Sequence, residues 1–179
     1  MTVNVAINGF GRIGRNILRA IIESGRNDLK VVAINDLAPV DTSVHLLKYD
    51  SVHGRFPKTV NIVDENMDLG FGPIKMSSER DFSNLKWKDK GVDIVMECTG
   101  VFTSREGANG HIKAGAKKVL ISAPASDVDI TVVYGVNHQK LESNHTIVSN
   151  ASCTTNCLAP VAKILNKVVG IENGFMTTV

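Results

Sequence analysis

The chain has few of the features that mark secreted, membrane-bound or nucleic-acid-binding proteins. Among its 179 residues are three cysteines, and an odd number without an N-terminal leader favours a reducing compartment over a disulfide framework. No apolar run approaches the length of a membrane span. The formal charge of +2 comes without any basic run, so no nucleic-acid or membrane partner is expected. We therefore expect a cytoplasmic protein.

A metal-ligand pattern is also missing. Cys153 and Cys157 are separated by three residues, which is not the usual C-x-x-C spacing of zinc sites, and they have no companion histidine. We expect no metal, and we expect Cys157 to be a packing residue. With 43% hydrophobic and 21% charged residues, the composition is ordinary for a globular protein of one domain or one and a fraction.

What is present begins with a β-α-β unit. Residues 3–7 predict a buried strand, residues 13–22 a helix that stops near Gly25, and residues 30–34 a second strand. Between the first strand and the helix lies a G-x-G-x-x-G motif made by Gly9, Gly11 and Gly14. An acidic residue, Asp36, follows 22 positions after the last glycine. A glycine motif in this context is typical of a dinucleotide-binding site.

Each part of this motif has a predicted physical role. Gly9 permits the tight turn, Gly11 allows a pyrophosphate to approach the backbone, and Gly14 allows the helix and the strand to pack closely. The helix N–H groups then face the phosphates. Asp36 accepts hydrogen bonds from an adenosine ribose and repels a 2′-phosphate, which favours NAD. The alternative is a purely structural glycine turn in another α/β fold.

The rest of the chain continues the alternation of strands and helices. Helices are predicted near residues 41–48 and 104–114, with a polar loop at 49–54. Strands are predicted at residues 59–63, 68–69, 74–76, 92–96, 117–122, 130–134 and 146–149, the first three of them as a small antiparallel excursion. This order predicts an α/β fold, a Rossmann-type doubly wound parallel sheet.

A cysteine follows the last of these strands directly. Apolar residues recur at helical spacing after Cys153, so this cysteine lies in the first turn of a predicted helix. Free N–H groups and the helix dipole stabilise a thiolate there, and the hydroxyls of Ser152 and Thr154 can cap the turn or hold an oxyanion. The alternative is that Cys153 is a small buried hydrophobe. Cys98, at a strand end without a basic neighbour, is predicted to be unreactive.

A dinucleotide site and an activated cysteine together indicate one type of chemistry. A thiolate adds to an aldehyde, the thiohemiacetal gives a hydride to nicotinamide, and the resulting thioester passes to an acyl acceptor.

Four motifs resemble the phosphorylating glyceraldehyde-3-phosphate dehydrogenase family, in order and spacing, across residues 3–179. They are residues 8–15 (NGFGRIGR), 48–54 (KYDSVHG), 97–100 (ECTG) and 151–157 (ASCTTNC). The resemblance implies an enzyme that oxidises glyceraldehyde 3-phosphate with NAD and inorganic phosphate, as a cytoplasmic homotetramer of glycolysis. Erythrose-4-phosphate dehydrogenase is the alternative among enzymes, and aspartate-semialdehyde dehydrogenase fits less well. A truncated NAD-binding module or redox-sensing thiol protein, without turnover, is the non-enzymatic alternative.

The resemblance also assigns roles to residues. Cys153 corresponds to the nucleophile, and Ser152 and Thr154 to contacts with substrate and phosphate. The implied cofactor contacts are Arg12 and Ile13 at the pyrophosphate, Asp36 at the adenosine ribose, and Arg80, Thr99 and Ser122 elsewhere. Leu37, directly after Asp36, resembles the residue found in family members that prefer NAD over NADP.

Members of that family have subunits nearly twice as long as this chain. The resemblance therefore implies an NAD-binding domain over residues 1–150 and the beginning of an α+β catalytic domain over 151–179. It also implies that the family's catalytic histidine, its main phosphate-binding arginine and its C-terminal helix would follow Val179. On this basis residues 1–179 alone are expected to be inactive or nearly so, at least roughly 10²-fold below a complete subunit.

Overall fold

The computed structural model describes residues 2–178, which contain eleven strands and four α-helices. The strands are β1 (Val3–Asn8), β2 (Leu29–Asn35), β3 (Tyr49–Asp50), β4 (Gly54–Arg55), β5 (Asn61–Val63), β6 (Asn66–Asp68), β7 (Pro73–Ser77), β8 (Ile94–Glu97), β9 (Lys118–Ile121), β10 (Ile130–Thr131) and β11 (Ile147–Ser149). The helices are α1 (Arg12–Glu23), α2 (Val40–Lys48), α3 (Arg105–Lys113) and α4 (Cys153–Val168).

Nine of the strands form one sheet, in the order β10-β11-β9-β8-β1-β2-β7-β6-β5. The strands from β10 to β7 in this order are parallel, and β6 and β5 continue the sheet with antiparallel pairing. The chain order reverses between β1 and β8, because β2 lies on one side of β1 and β8 on the other. In open parallel sheets such a switch point opens a crevice at the carboxyl ends of the strands. The predicted Rossmann-type sheet is confirmed.

Both faces of the sheet are covered, and the side chains of β1 divide between them. Val5 and Ile7 belong to one buried cluster with Leu18 of α1. Ala6 belongs to another cluster with Trp87. A strand that is buried on both faces reads as a continuous apolar run, which is why residues 3–7 were recognisable as a strand.

Three details differ from the sequence prediction. The excursion formed by β5, β6 and β7 is antiparallel as expected, but β7 also pairs in parallel with β2, through Ile34 and Met76. Within residues 49–54, the predicted polar loop, Tyr49 and Asp50 pair with residues 54–55 as a short hairpin. Strand β10 is only two residues long, because the backbone N–H of Val133 is bound by the Asn137 side chain and the chain turns there.

No helix within residues 2–178 is both long enough and apolar enough to cross a membrane. The same stretch contains no group of three or more His, Cys, Asp or Glu side chains that could hold a metal ion.

Candidate cofactor pocket and nucleophile

The glycine loop between β1 and α1 is shaped by two close approaches. Gly9 has a φ of +89°, in the left-handed region, and a Cβ there would lie 2.8 Å from the backbone nitrogen of Thr99. A Cβ on Gly14 would collide with the carbonyl oxygen of Gly9 and with Ile7. A side chain at either glycine would therefore displace the loop. A Cβ on Gly11 would meet no protein atom within 4 Å, so the backbone is open to a ligand at this point.

A cavity of about 460 Å³ opens beside this loop, at the switch point of the sheet. Its volume falls within the range of small-molecule sites. It brings together five of the residues that the sequence predicted for the cofactor, namely Gly9, Gly11, Asp36, Arg80 and Thr99. Phe82 and Phe102 contribute an apolar wall, with ring centroids 4.6 Å apart. The remaining predicted residues, Arg12, Ile13, Gly14 and Ser122, lie outside this lining.

Asp36 connects the glycine loop to the turn after β2. One carboxylate oxygen accepts a hydrogen bond from the Phe10 N–H at 2.5 Å, and the other accepts one from the Ala38 N–H at 2.8 Å. A carboxylate has about four acceptor sites, so both oxygens keep capacity for ribose hydroxyls. Asp36 thus shapes the loop as well as facing the cavity, a role that its spacing from the glycines does not reveal.

The N-terminus of α1 suits a phosphate group. Its N-cap residue is Gly11, which has no side chain to cap the N–H groups of the first turn, and that turn contains no acidic residue. The first N–H groups of a helix have no partner within the helix, and the dipole favours an anion beside them. Together with the cavity and the open backbone at Gly11, this arrangement fits a dinucleotide.

Arg12 and Ile13 are exposed on this first turn. The Arg12 guanidinium is already paired with Asp50, at an N–O distance of 3.0 Å. Backbone N–H groups of His53 and Val52, with Arg12, hold the pKa of Asp50 well below its usual range. The guanidinium therefore ties α1 to the turn that follows β3.

Thr99 and Ser122 follow the ends of β8 and β9. The Thr99 backbone N–H donates to Oε1 of Glu97 at 2.8 Å, and the Thr99 hydroxyl also bonds to this oxygen. The Ser122 N–H donates to the Glu97 carbonyl at 3.0 Å. Thr99 lies in the cavity wall, whereas Ser122 lies one strand further towards β11, on the side of the cysteine.

Cys153 is the first residue of α4, so the predicted helix start is confirmed, and its side chain is exposed. Ser152 is the N-cap: its hydroxyl oxygen accepts from the Thr155 N–H at 2.9 Å. Ala151, just before it, is 5% exposed and has a φ of +58°, which is unfavourable for a residue with a Cβ. The alternative prediction of a buried Cys153 is wrong.

The turn before Cys153 is braced by residues that sequence reasoning did not single out. The Asn156 side chain donates to the carbonyl of Asn150 at 2.7 Å and to that of Ser152 at 2.9 Å. The Ser149 hydroxyl accepts from the Ala151 N–H at 3.1 Å. The signal was present, because an amide three residues after the cysteine can reach back to the carbonyls of the turn.

The two residues predicted to contact substrate lie together beside Cys153. The Ser152 hydroxyl oxygen is 2.9 Å from that of Thr154 and 2.6 Å from that of Thr155. Three hydroxyl groups at the N-terminus of a helix can donate hydrogen bonds to an oxyanion or a phosphate.

The other two cysteines differ from each other. Burial is the main cause that raises the pKa of the Cys98 thiol to about 11, in agreement with its predicted low reactivity. Cys157 is exposed, so its prediction as a packing residue is wrong. The physical reason is that the face of α4 carrying Cys157 is not covered by any of residues 2–178.

The fold and the site together define a class of protein. A glycine loop, an acidic residue after the second strand and a cavity at the switch point are the features of a dinucleotide-binding α/β protein. Here the chain also carries an exposed cysteine at a helix N-terminus, directly after the last strand of that sheet.

Comparison with known proteins identifies the family. Residues 3–105 match the family described as "Glyceraldehyde 3-phosphate dehydrogenase, NAD binding domain". Residues 152–179 match "Glyceraldehyde 3-phosphate dehydrogenase, C-terminal domain". The first match covers more than half of the chain, and the chain therefore belongs to the glyceraldehyde 3-phosphate dehydrogenase family.

Individual relatives agree with this assignment. The chain is 65% identical to a glyceraldehyde-3-phosphate dehydrogenase of Xanthobacter flavus and 60% identical to one of Cereibacter sphaeroides, over 179 residues in each case. It is 58% identical over 180 residues to the enzyme of that name from Pseudomonas aeruginosa. All of this chain is covered in each comparison, against 53%, 53% and 54% of the relatives. The chain thus spans about half the length of the curated relatives it matches.

Proposed function

We propose that this chain contributes the NAD site and the nucleophile of an NAD-dependent, phosphorylating glyceraldehyde-3-phosphate dehydrogenase. One observation carries the proposal: an exposed cysteine begins a capped helix after β11, on the same strand-end edge of the sheet as the cofactor cavity. The family assignment and the names of the relatives support it. The proposed division is an NAD-binding domain over residues 1–150 and the beginning of a catalytic domain over 151–179.

The proposed NAD contacts combine residues that line the pocket, Gly9, Gly11, Asp36, Arg80 and Thr99, with residues that the family resemblance implies, Arg12, Ile13, Gly14 and Ser122. Gly9, Gly11 and the first turn of α1, with Arg12, Ile13 and Gly14, hold the pyrophosphate. Asp36 accepts hydrogen bonds from the adenosine ribose, Arg80 and Thr99 bound the adenosine end, and Ser122 lies nearer the cysteine. NAD, when bound, supplies the hydride acceptor for the reaction.

Cys153 acts on the aldehyde. Its thiolate forms a C–S bond to the carbonyl carbon while the carbonyl oxygen takes up the released electron pair and then a proton. Loss of a hydride from the same carbon, and of the hydroxyl proton, leaves a thioester on the sulfur. An oxygen of inorganic phosphate then attacks the thioester carbon and releases the Cys153 thiolate. The hydroxyls of Ser152 and Thr154 hold the substrate and the phosphate.

The working form of the enzyme is proposed to be a cytoplasmic homotetramer without a nucleic-acid or membrane partner. The small net charge of +2 supports the absence of an electrostatic partner of that kind. Erythrose-4-phosphate dehydrogenase remains the alternative substrate assignment, and NAD binding without turnover the non-enzymatic one.

The test uses the native polypeptide that contains these 179 residues, at whatever length its intact mass shows, because residues 1–179 alone are expected to be inactive or nearly so. NADH formation is followed with glyceraldehyde 3-phosphate and with erythrose 4-phosphate, each with and without inorganic phosphate, beside a calorimetric titration with NAD. The expected result is NAD binding and phosphate-dependent turnover of glyceraldehyde 3-phosphate. Faster oxidation of erythrose 4-phosphate would change the substrate assignment, and binding without any turnover would favour the non-enzymatic alternative.

A further inference from the structure

A layer of buried polar side chains lies beneath the cofactor cavity, where four adjacent strands end. Glu97, Asn8, Asn35 and Ser77 are the last residues of β8, β1, β2 and β7, and each is the register partner of the next. Glu97 is 1% exposed, Asn8 3% and Asn35 5%. Polar groups buried this deeply need hydrogen-bond partners, so their bonds show what the layer does.

One end of the layer is fixed by backbone groups. The Asn35 side-chain oxygen accepts from the Glu79 N–H at 2.8 Å, and its amide nitrogen donates to the Glu79 carbonyl at 2.8 Å. The same nitrogen donates to the side-chain oxygen of Asn8 at 2.8 Å. The Asn8 amide nitrogen must therefore face the other way, and it donates to Oε2 of Glu97 at 2.6 Å.

The other end is fixed by the only tryptophan of the chain. The indole N–H of Trp87 can only donate, and it donates to Nδ1 of His111 at 3.0 Å. The proton of His111 is therefore on Nε2, which donates to Oε2 of Glu97 at 2.8 Å. The directions of the bonds from Asn35 to Asn8, from Asn8 to Glu97 and from His111 to Glu97 are thus set from the two ends of the layer.

Glu97 connects the buried layer to the wall of the cavity through Thr99. Its other oxygen, Oε1, accepts from the Thr99 N–H and bonds to the Thr99 hydroxyl, which in turn accepts from the Val101 N–H at 3.1 Å. Thr99 closely approaches Gly9 of the glycine loop. At the far end of the layer, Asn35 holds Glu79, the residue before Arg80. The layer therefore connects the Thr99 wall of the cavity to the Arg80 wall.

We propose that Glu97 and His111 are positioning residues for the adenosine half of NAD, an inference that rests on the proposed function. Neither lines the cavity. Glu97 acts through Thr99 and Asn8, and His111 acts by holding Oε2 of Glu97. The adenosine half is the part concerned because Asp36, which is placed for the adenosine ribose, borders the same cavity.

Replacing Glu97 by Gln tests the layer with little change of shape. In either orientation the new NH₂ group faces a donor, either the Thr99 N–H or the N–H groups of Asn8 and His111. We expect affinity for NAD and for ADP-ribose to fall by the same factor, about tenfold, with no change for nicotinamide mononucleotide. An equal loss for all three ligands, or no loss in a folded variant, would overturn the proposal.

Asp93→Asn is the matched control. Like Glu97, Asp93 has a carboxylate that accepts a hydrogen bond from a backbone N–H, in this case that of Asn4 at 2.9 Å. Asp93 lies just before β8, at the end of the strands opposite to the cavity. The substitution should lower stability and leave affinity for ADP-ribose unchanged. A loss of affinity as large as that of Glu97→Gln would show a general effect of destabilising the sheet.

A pair of substitutions at His111 gives a second, independent measurement. His111→Gln again offers one acceptor and one donor on a planar group and should keep ADP-ribose affinity, whereas His111→Phe should lose about tenfold. His111→Phe also leaves the indole N–H of Trp87 without its acceptor, so the tryptophan emission should shift, while His111→Gln should restore it. If Glu97→Gln does not fold, full ADP-ribose affinity in His111→Phe is the result that overturns the proposal.

The two proposals fail in different ways. A wild-type protein that does not bind NAD contradicts the proposed function itself. A wild-type protein that binds NAD, beside folded Glu97→Gln and His111→Phe variants that bind it equally well, contradicts only the positioning role.

Discussion

Helices α1 and α4 both follow a strand of the same parallel sheet and both begin at a candidate site, yet they are packed very differently. Helix α1 buries Gly14, Leu18, Arg19 and Ile21. Helix α4 has no buried residue among its 16. Its apolar residues Leu158, Val161, Leu165 and Val168 are between 43% and 72% exposed.

The difference shows that the two sites are held in place by different means. Most helix stability in proteins comes from burial of an apolar face, and α1 has that burial on its own sheet. The position of the glycine loop therefore depends on the core. At α4, the Ser152 N-cap and the hydrogen bonds that the Asn156 side-chain amide donates hold the first turn locally. Lys163 adds a tether, donating to the carbonyls of Gly135 and Val136 at 2.7 and 3.0 Å.

The largest expected effect concerns the reactive end of α4. Cys153→Ser should lower turnover of glyceraldehyde 3-phosphate by roughly 10³-fold or more, because the hydroxyl is a far weaker nucleophile than a thiolate. Affinity for NAD should not change, since the cofactor cavity is a separate part of the molecule. Steady-state NADH formation and an NAD titration measure the two quantities. Cys157→Ser is the control, and an equal loss of turnover in that variant would contradict the assignment of the nucleophile.

The contrast in packing predicts a contrast in stability. Leu18→Ala, at a fully buried position of α1, should lower the free energy of unfolding by about 2–5 kcal/mol. Leu165→Ala, at a position 49% exposed in α4, should change it by only about 0.5 kcal/mol. Urea unfolding of both variants gives the comparison. A cost at Leu165 equal to that at Leu18 would mean that the face of α4 is covered in solution.

Cysteine alkylation compares the two regions chemically. Iodoacetamide at neutral pH should modify Cys153 first, ahead of Cys157, with Cys98 last. A pKa of about 11 leaves Cys98 with roughly 10²-fold less thiolate than an ordinary cysteine, and its reaction should accelerate as the pH rises towards that value. Peptide mapping over time at several pH values measures the order. Fast reaction of Cys98 in the folded protein would show that the strand end is less buried than it is here.

The smallest of the four effects is expected in the cofactor region. Asp36→Ala should weaken NAD binding by about 1–3 kcal/mol through the loss of charge-assisted hydrogen bonds, and it should narrow any preference for NAD over NADP. Calorimetric titration with both cofactors measures this. Asp41→Ala, five positions along at the exposed start of α2, should leave both affinities unchanged. Equal affinities in Asp36→Ala and the wild type would remove Asp36 from the site.

Local patterns in the sequence were sufficient for the elements that frame both sites. The predicted strand, helix and strand at residues 3–7, 13–22 and 30–34 correspond to Val3–Asn8, Arg12–Glu23 and Leu29–Asn35. The start of α4 at Cys153 was also predicted. Apolar periodicity, glycines and capping residues act over a few neighbouring positions, so the sequence contains them in full.

Elements whose form depends on a distant partner were predicted less well. The strand expected over residues 130–134 is only Ile130–Thr131, and the residues of β7 gained an unforeseen parallel partner in β2. The apolar face of α4 is another example. An apolar stripe indicates that a helix face tends to be buried, but it does not indicate which part of a protein packs against that face.

The local elements, the glycine motif with Asp36 and the cysteine at a helix start can all be recognised in the amino-acid sequence alone. The layer that Glu97, Asn8 and Asn35 form beneath the cofactor cavity, in contrast, is evident only in the folded protein. In the sequence each is a polar residue at the end of an apolar run, and Asn8 is 27 positions from Asn35 and 89 from Glu97. The strand order around β1 brings the three into register, and strand order arises from the packing of the whole sheet rather than from any local pattern.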